Sequence, residues 1–343
     1  MSTMMTESTA ERILLAHGGG GELTGRLIAD HVLPRLGNEV LDDLGDSAVL
    51  RWTAPNVVFT TDSYVVSPLE FPGGDIGRLA VCGTVNDLSV AGAEPVALSL
   101  GLILEEGLPI DLLDRITESI ARAADEAGIH VVTGDTKVID RQGGTGLFIN
   151  TAGIGHLRPN CHLDLTRVEP GDCVIVSGTI ADHGLTIMSK REGIEFDSDL
   201  CSDAAPLNGL IDRLFDAGVD VRFMRDATRG GLAGVLADMS ERARLTIEIE
   251  ECRIPMSRTS RHAAEMLGFD PLTVANEGKA VFAIARQDAS RAVSALRDHR
   301  LGRKAQIIGC FTECDPPLVE LITRSGGRRI VQRPYGAELP RIC

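Results

Sequence analysis

In the first 155 residues, the hydrophobic residues form short apolar runs, and between these runs lie two segments with helical periodicity. Residues 109–127 have an apolar residue at every third or fourth position and are followed by Gly128, which favours a helix C-terminus. The apolar face of this predicted helix consists of Ile110, Leu113, Ile116 and Ile120. Residues 75–93 have the same periodicity. The apolar runs predict strands at 57–62, 94–104, 129–136 and 147–155.

The pattern changes at residues 156–170, which are polar and contain two prolines. We predict a domain boundary there. Beyond it the pattern predicts strands at 173–178, 246–250, 280–285 and 305–311, and helices after 225–231 and near 288–299. Residues 1–10 are polar and small and are predicted to be disordered. The predicted units are an N-terminal arm (1–37), an N-terminal domain (38–158), a C-terminal domain (168–323) and a flexible tail (324–343).

The amino-acid composition indicates the fold class and disfavours some classes of binding partner. Hydrophobic residues make up 43% of the chain but aromatic residues only 3%, so the cores must consist of Val, Ile, Leu and Ala. This predicts an α+β (mixed α/β) protein. The net charge of −15, without clusters of Lys or Arg, disfavours binding to nucleic acid or to an anionic membrane. Eight cysteines without a CxxC pair, and no signal peptide or membrane-length apolar run, predict a cytoplasmic protein.

Aspartates recur at the ends of predicted strands, beside Gly, Ser, Thr or Ala. This set comprises Asp43, Asp46, Asp62, Asp87, Asp135 and Asp226. Mg²⁺ prefers carboxylate oxygens and usually binds substrate phosphates at the same time. Small neighbours allow a phosphate to approach the backbone closely. The alternative is that each aspartate caps a helix or a turn.

Three further features have both a chemical and a structural interpretation. The glycine run at 17–21 would form an anion-binding nest or a flexible hinge, and it is not followed by the GK[ST] of a Walker A loop. Lys137 would hold a phosphate or act as a base, or would be a surface lysine. Glu277 lies just before a predicted strand and would be a base or a turn residue.

Four motifs, in this order, resemble the ATP-binding superfamily of aminoimidazole ribonucleotide synthetase, selenophosphate synthetase and thiamine-monophosphate kinase. They are GDSAV (45–49), VNDLSVAGA (85–93), TGDT (133–136) and RDATRGG (225–231). Within this superfamily, HGGGG (17–21), TGDTKV (133–138) and above all the final PRIC (340–343) resemble the HypE family of hydrogenase maturation factors, the carbamoyl dehydratases. The resemblance covers roughly residues 13–320 together with the tail.

The resemblance implies a two-domain aminoimidazole ribonucleotide synthetase-like fold, with N-terminal domains that pair in a homodimer and ATP bound in clefts between domains. It implies that Asp46, Asp87 and Asp226 are Mg²⁺ ligands and that Asp43, Asp62 and Asp135 complete the metal–phosphate shell. It also implies a glycine loop over the phosphates. The remaining implied nucleotide-binding residues are Gly18, Gly19, Gly20, Asn86, Thr136 and Lys137.

The family's activity gives Cys343 a role. In the family, the carbamoyltransferase HypF places a carbamoyl group on the terminal cysteine, and ATP is used to dehydrate it to a thiocyanate. The cyanide passes to HypC–HypD and becomes an iron ligand of [NiFe]-hydrogenase. Lys137 and Glu277 are the candidate bases, and Cys343 is the candidate acceptor. A free small-molecule kinase or synthetase of the same superfamily, and a non-catalytic maturation scaffold, are the alternatives.

Overall fold

The computed structural model of the protein describes residues 11–19, 21–45, 47–141, 143–159, 161–194 and 199–334. Within these residues the chain forms two main β-sheets, one in each half of the sequence, each packed against its own helices. This arrangement confirms the predicted α+β class. None of the helices in the described part of the chain is both long and apolar enough to cross a membrane.

The first half contains a four-stranded sheet in the order β1-β6-β4-β5. Strands β4 and β5 are parallel because α4 connects them, whereas β6 runs antiparallel to both β1 and β4. In chain order, the elements of this half are α1 Glu22–Leu27, α2 Leu33–Leu36, β1 Val57–Tyr64, β2 Glu70–Phe71, β3 Gly74–Asp75, α3 Ile76–Val90, β4 Ala93–Glu105, α4 Ile110–Ala127, β5 His130–Ile139 and β6 Leu147–Leu157.

Local sequence signals explain where the two long helices begin and end. Asp75 precedes helix α3 as its N-cap, and its carboxylate accepts a hydrogen bond of 2.9 Å from the backbone N–H of Arg78. Gly128 follows helix α4 as its C-cap and has φ of 71°. The two helices cover one face of the sheet, where Leu98, Leu100, Leu102 and Leu104 are buried. Along β1 the opposite face is open, because the side chain of Phe59 is 64% exposed.

The second half contains a seven-stranded sheet in the order β13-β12-β9-β11-β7-β10-β8. Separate apolar clusters pack on its two faces. Its elements are β7 Cys173–Val176, α5 Asp182–Arg191, α6 Asn208–Asp216, β8 Val221–Asp226, α7 Gly231–Ala243, β9 Thr246–Glu250, α8 Arg258–Leu267, β10 Ala280–Ile284, α9 Ala289–Arg297, β11 Gln306–Thr312, β12 Val319–Ile322 and β13 Arg328–Ile330.

The strands and helices predicted one by one from the sequence are confirmed, but the predicted start of the tail at residue 324 is wrong. Strand β13 pairs with β12, and the backbone N–H of Val331 donates to Val319 O over 2.8 Å. Strand β13 is an edge strand, and none of its three residues is buried. Its Arg328 and Arg329 form ion pairs with carboxylates. Residues 1–10 and 335–343 lie outside the described residues. The other domain bounds stay predictions.

Candidate active site

A cavity of about 320 Å³ lies between the two halves of the protein and collects acidic side chains from both. We call it the first cavity. Its lining residues are Thr61, Asp62, Ser63, Tyr64, Gly83, Asp87, Val90, Arg225, Asp226, Thr228, Arg229 and Glu277. Four of the predicted site residues therefore meet here, although they are distant in sequence.

Asp87 enters this cavity from the last turn of α3, which packs against β1. The hydroxyl of Thr60 on β1 donates a hydrogen bond of 2.9 Å to the Asp87 carboxylate. Burial raises the pKa of Asp87, and the nearby Asp62 adds to this rise, whereas the bond from Thr60 opposes it. The bond from Thr60 therefore orients the Asp87 carboxylate, and a cation beside it would stabilise its charged form.

Asp226 reaches the cavity from the end of β8, where it pairs in register with Ala280 of β10. Its side chain is almost fully buried. Burial, and then repulsion from Asp87, raise the pKa of Asp226 from 3.8 to about 7. Asp87 and Asp226, which come from different halves, therefore line the same cavity.

Asp62 and Arg229 connect the two halves across the cavity. A guanidinium nitrogen of Arg229 lies 3.1 Å from Asp62 Oδ1, which also accepts a 2.9 Å hydrogen bond from the backbone N–H of Ser63. Asp62 lies on β1, whereas Arg229 belongs to the loop between β8 and α7. This ion pair therefore spans the cavity from one half to the other.

Glu277 lines the cavity and is held by its backbone. Its N–H donates to the carboxylate of Asp203 over 3.1 Å, and its carbonyl accepts from the side-chain amide of Asn86 over 3.3 Å. The amide of Asn86 also donates to Ala205 O and accepts from the N–H of Leu207. Asn86 is buried, is not among the lining residues of the cavity, and links the two halves through these bonds, so its nucleotide-binding role stays a prediction.

Tyr64 is a lining residue that the sequence reasoning missed. Its side chain is only 2% exposed. A Cβ atom on Gly83 would lie 2.1 Å from the Tyr64 hydroxyl, so only glycine leaves room for it. Burial, followed by repulsion from Asp62, raises the pKa of Tyr64 well above its ordinary value. The alternation along β1 was the available signal, because Thr60, Asp62 and Tyr64 share one face.

The other predicted site residues line a second cavity of about 230 Å³, beside β5. Its polar lining includes Gly18, Asp135, Thr136 and Lys137, and much of the rest is leucine, isoleucine and valine. A Cβ atom on Gly18 would lie 2.8 Å from the backbone nitrogen of Val138, so the glycine allows the 17–19 segment to contact β5. The predicted phosphate loop and the TGDTK motif are thus neighbours.

The structure separates the predicted site into two places within one chain. The first cavity adjoins β1 and the second adjoins β5, which are the outer strands of the four-stranded sheet. Two strands lie between them, so β1 and β5 are about 14 Å apart at the usual strand spacing. Asp43 is exposed at the end of a short 3₁₀ helix, Leu41–Asp43. Gly19 caps another 3₁₀ helix, Leu15–Gly18, and so directly follows Gly18 of the second cavity. Gly20, Asp46 and Cys343 lie outside the described residues.

Two lining residues of the first cavity, Asp87 and Asp226, could hold Mg²⁺ together with phosphate oxygens. Mg²⁺ usually binds through one or two carboxylates and completes its shell with waters and substrate phosphates. Asp87 and Asp226 supply two such carboxylates, and because burial raises the pKa of both, a nearby cation would stabilise their charged forms. Within the described ranges, no group of three or more His, Cys, Asp or Glu side chains is arranged to hold a metal ion by itself. Phosphate oxygens would therefore have to contribute ligands.

Sequence comparison assigns both halves to one family. The family of AIR synthase related proteins matches through its N-terminal domain at residues 44–157 and through its C-terminal domain at residues 169–317. The carbamoyl dehydratase HypE of Azotobacter vinelandii is 46% identical over 329 residues, which cover 96% of this chain and 96% of that protein.

Solved structures give the same result. A hydrogenase maturation protein HypE in complex with ATP has a TM-score of 0.92 and 42% identity, and the match covers 96% of this chain and 99% of that one. A chain from a HypE–HypF complex has a TM-score of 0.78 and 44% identity, with coverages of 92% and 100%. The predicted two-domain fold and the resemblance of the motifs are confirmed. The chain belongs to the HypE carbamoyl dehydratases, within the family of AIR synthase related proteins.

Proposed function

We propose that the protein uses ATP to dehydrate a carbamoyl group carried on the sulfur of Cys343, giving a protein-bound thiocyanate. Curated relatives of nearly the same length are carbamoyl dehydratases, and a solved relative binds ATP. The thiocyanate would supply the cyanide ligands of [NiFe]-hydrogenase.

The observation that carries this proposal is the position of Pro334 beside the first cavity. Pro334 lies against the first cavity's rim, because its ring is 3.6 Å from where a Cβ atom on Gly230 would be. Gly230 directly follows Thr228 and Arg229, which line the cavity. The nine residues from 335 to 343 can span at most about 30 Å. A segment of this length, if extended, would allow Cys343 to reach the first cavity.

The chemistry balances with ATP as the only co-substrate. The carbamoyl oxygen attacks the γ-phosphorus, and ADP leaves as the bond to the bridging oxygen breaks. The carbamoyl nitrogen then loses two protons while the carbon–oxygen bond breaks and phosphate departs. The products are a thiocyanate, ADP and phosphate. Phosphorylation is needed because an unmodified amide oxygen is a poor leaving group, and a positioned base is needed for the nitrogen protons.

The residues of the first cavity suit these two steps. Asp87 and Asp226, with Asp46, would hold Mg²⁺, which when bound neutralises charge on the nucleotide phosphates. Glu277 is the base candidate that faces the same cavity, and its fixed backbone would hold its carboxylate near the carbamoyl nitrogen. Lys137 is the other candidate base. Within one chain it lies at the second cavity, with Asp135 and Thr136.

We extend the proposal to a homodimer that joins the two cavities. The open face of the first sheet exposes Val57, Phe59 and Ile103, and an apolar surface of this kind favours association. Strands β1 and β5 are the outermost strands of the first sheet in the described chain. A second copy whose β5 lies beside β1 would bring its Lys137 towards Asp62. Two-fold symmetry would then build two identical composite sites.

The relatives indicate the protein partners. Because a relative forms a complex with HypF, we propose that HypF supplies the carbamoyl group to this chain as well. The HypC–HypD complex is the proposed acceptor of the cyanide. The acceptor thiol has to remain free between these encounters, which suits a reducing compartment such as the cytoplasm.

The mass of the C-terminal peptide tests the function directly. We expect the carbamoylated protein to lose the mass of one water from the peptide that contains Cys343 after incubation with Mg²⁺ and ATP. One ADP should form for each peptide converted. ADP formation that requires an added small molecule would support the free-substrate kinase instead. Absence of any ATP consumption by the carbamoylated protein would support the scaffold.

The pKa of Asp226 predicts a pH dependence of stability. The folded protein keeps a proton on Asp226 up to about pH 7, whereas the unfolded chain releases it above about pH 4. The folded state therefore binds more protons, and this group lowers the free energy of unfolding as the pH rises from about 4 to 7. Asp226→Asn should raise the melting temperature at pH 8 by a few degrees. Asp270→Asn, which removes an exposed partner of Arg329, is the control.

The same carboxyl should control nucleotide affinity. Because a bound cation competes with the proton on Asp226, the affinity for Mg²⁺ and ATP should increase as the pH rises through about 7. Asp226→Asn should bind weakly and without this pH dependence. Calorimetric titration from pH 6 to 8, with and without a chelator, measures both effects. A variant that keeps both the affinity and its pH dependence would contradict a metal-binding role.

A further inference from the structure

Cations are scarce around the first cavity. Among its described lining residues the carboxylates are Asp62, Asp87, Asp226 and Glu277, and the cations are Arg225 and Arg229. Arg225 is engaged by Asp238 of α7, which also pairs with Arg333. The Arg225 side chain is therefore paired with a carboxylate of the second half rather than across the cavity. Arg229 differs because its side chain is 79% exposed and its ion-pair partner is Asp62, across the cavity.

The backbone of Arg229 is fixed while its side chain is not. The N–H of Gly231 donates to Thr228 O over 3.2 Å, and a Cβ atom on Gly231 would lie 2.4 Å from Val274 O. Gly230 and Gly231 both have positive φ, which few other residues adopt. The loop therefore holds the Cα of Arg229 in one place at the rim. Its guanidinium can change partners without any movement of the backbone.

The pair between Arg229 and Asp62 is easily exchanged. The Arg229 side chain is mostly exposed, and ion pairs that are accessible to solvent contribute little to stability. A phosphate carries more charge than a carboxylate and accepts two parallel hydrogen bonds from a guanidinium. A phosphate entering a cavity that is otherwise lined by acids would therefore compete well for Arg229.

We propose that Arg229 leaves Asp62 and binds the phosphoryl group while it moves from ATP to the carbamoyl oxygen. This assignment rests on the proposed dehydration. As the phosphorus–oxygen bond to ADP breaks and the bond to the carbamoyl oxygen forms, negative charge spreads over the other three phosphoryl oxygens. Arg229 donates N–H groups to these oxygens and keeps its charge, because a guanidinium is not deprotonated in proteins. Arg229 directly precedes Gly230, which packs against Pro334, nine residues before Cys343.

The alternative is that Arg229 only joins the two halves through Asp62. These roles predict different kinetics. A structural link would be needed equally for stability and for nucleotide binding. A transition-state contact would affect mainly the rate constant of the chemical step and would require a planar, bidentate donor, so that lysine would replace arginine poorly.

The test compares Arg229→Ala with Arg253→Ala in the full-length carbamoylated protein. Arg253 is about half exposed and, like Arg229, has a carboxylate partner, Glu250 at 2.8 Å, but it does not line the cavity. We expect Arg229→Ala to lower the single-turnover rate of ADP formation by about 100- to 1,000-fold, comparable to removal of one transition-state donor. The dissociation constant for ATP should change by less than about tenfold, and the melting temperature should not change.

Added guanidinium ion provides a readout that a structural role would not give. Millimolar guanidinium should restore part of the rate of Arg229→Ala and should leave wild type and Arg253→Ala unaffected. An Arg229→Ala protein that is as active as wild type, or is slow, unstable and not rescued, would overturn the assignment. These outcomes are distinct from failure of the proposed function, in which the wild-type peptide itself loses no water with ATP.

Discussion

Cys343→Ser should lose all carbamoylation and all carbamoyl-dependent ATP turnover. A serine hydroxyl is almost fully protonated near neutral pH and is a far weaker nucleophile than a thiolate, so it would not accept the carbamoyl group. ATP binding should survive, because Asp62, Asp87 and Asp226 form the first cavity without this residue. The melting temperature should also be unchanged. Peptide mass spectrometry, ADP release and thermal unfolding measure these three properties.

Cys314→Ser is the matched control, since Cys314 is an exposed thiol in the second half. It should be carbamoylated and dehydrated like wild type. A carbamoyl group found on Cys314 or any other cysteine would refute the carrier role of Cys343. Normal dehydration by the Cys343→Ser protein would do the same and would favour a kinase acting on a free small molecule.

Much of the fold was predictable because its strongest elements are governed by local patterns. Helix α4 has a continuous apolar face and ends at a glycine with positive φ, so sequence alone fixed both its type and its end. Strand β13 was missed for the opposite reason. Its three residues are all exposed, and its place in the sheet depends on backbone pairing with β12 and on ion pairs with distant carboxylates.

The candidate site was predictable in its residue types but not in its geometry. Asp87 and Asp226 stand beside small residues in recognisable motifs, so the sequence identified them individually. Nothing local to Arg229 shows that it reaches Asp62, which is 167 positions away. The two halves of the chain must pack together before these side chains share a cavity. The role of Asn86 is likewise set by backbone groups of Ala205 and Leu207 in the other half.

The separation of Lys137 from the first cavity leads to the second prediction with a large effect. If each active site combines Asp87 of one chain with Lys137 of a second, Asp87→Ala and Lys137→Ala should each abolish dehydration when purified alone. Mixed dimers of the two variants should recover activity. Random association gives about half mixed dimers, each with one intact site, so the expected rate is about a quarter of wild type.

Co-expression of the two variants with different tags allows the mixed dimers to be isolated, and light scattering should confirm two chains per particle. A mixture that stays inactive, or a protein that is monomeric at all working concentrations, would show that one chain builds the whole site. ATP binding by Lys137→Ala alone then defines the lysine's role. If binding survives, Lys137 acts in the chemical step. If binding is lost, Lys137 holds a phosphate and Glu277, which already faces the acidic cavity, is the proton acceptor.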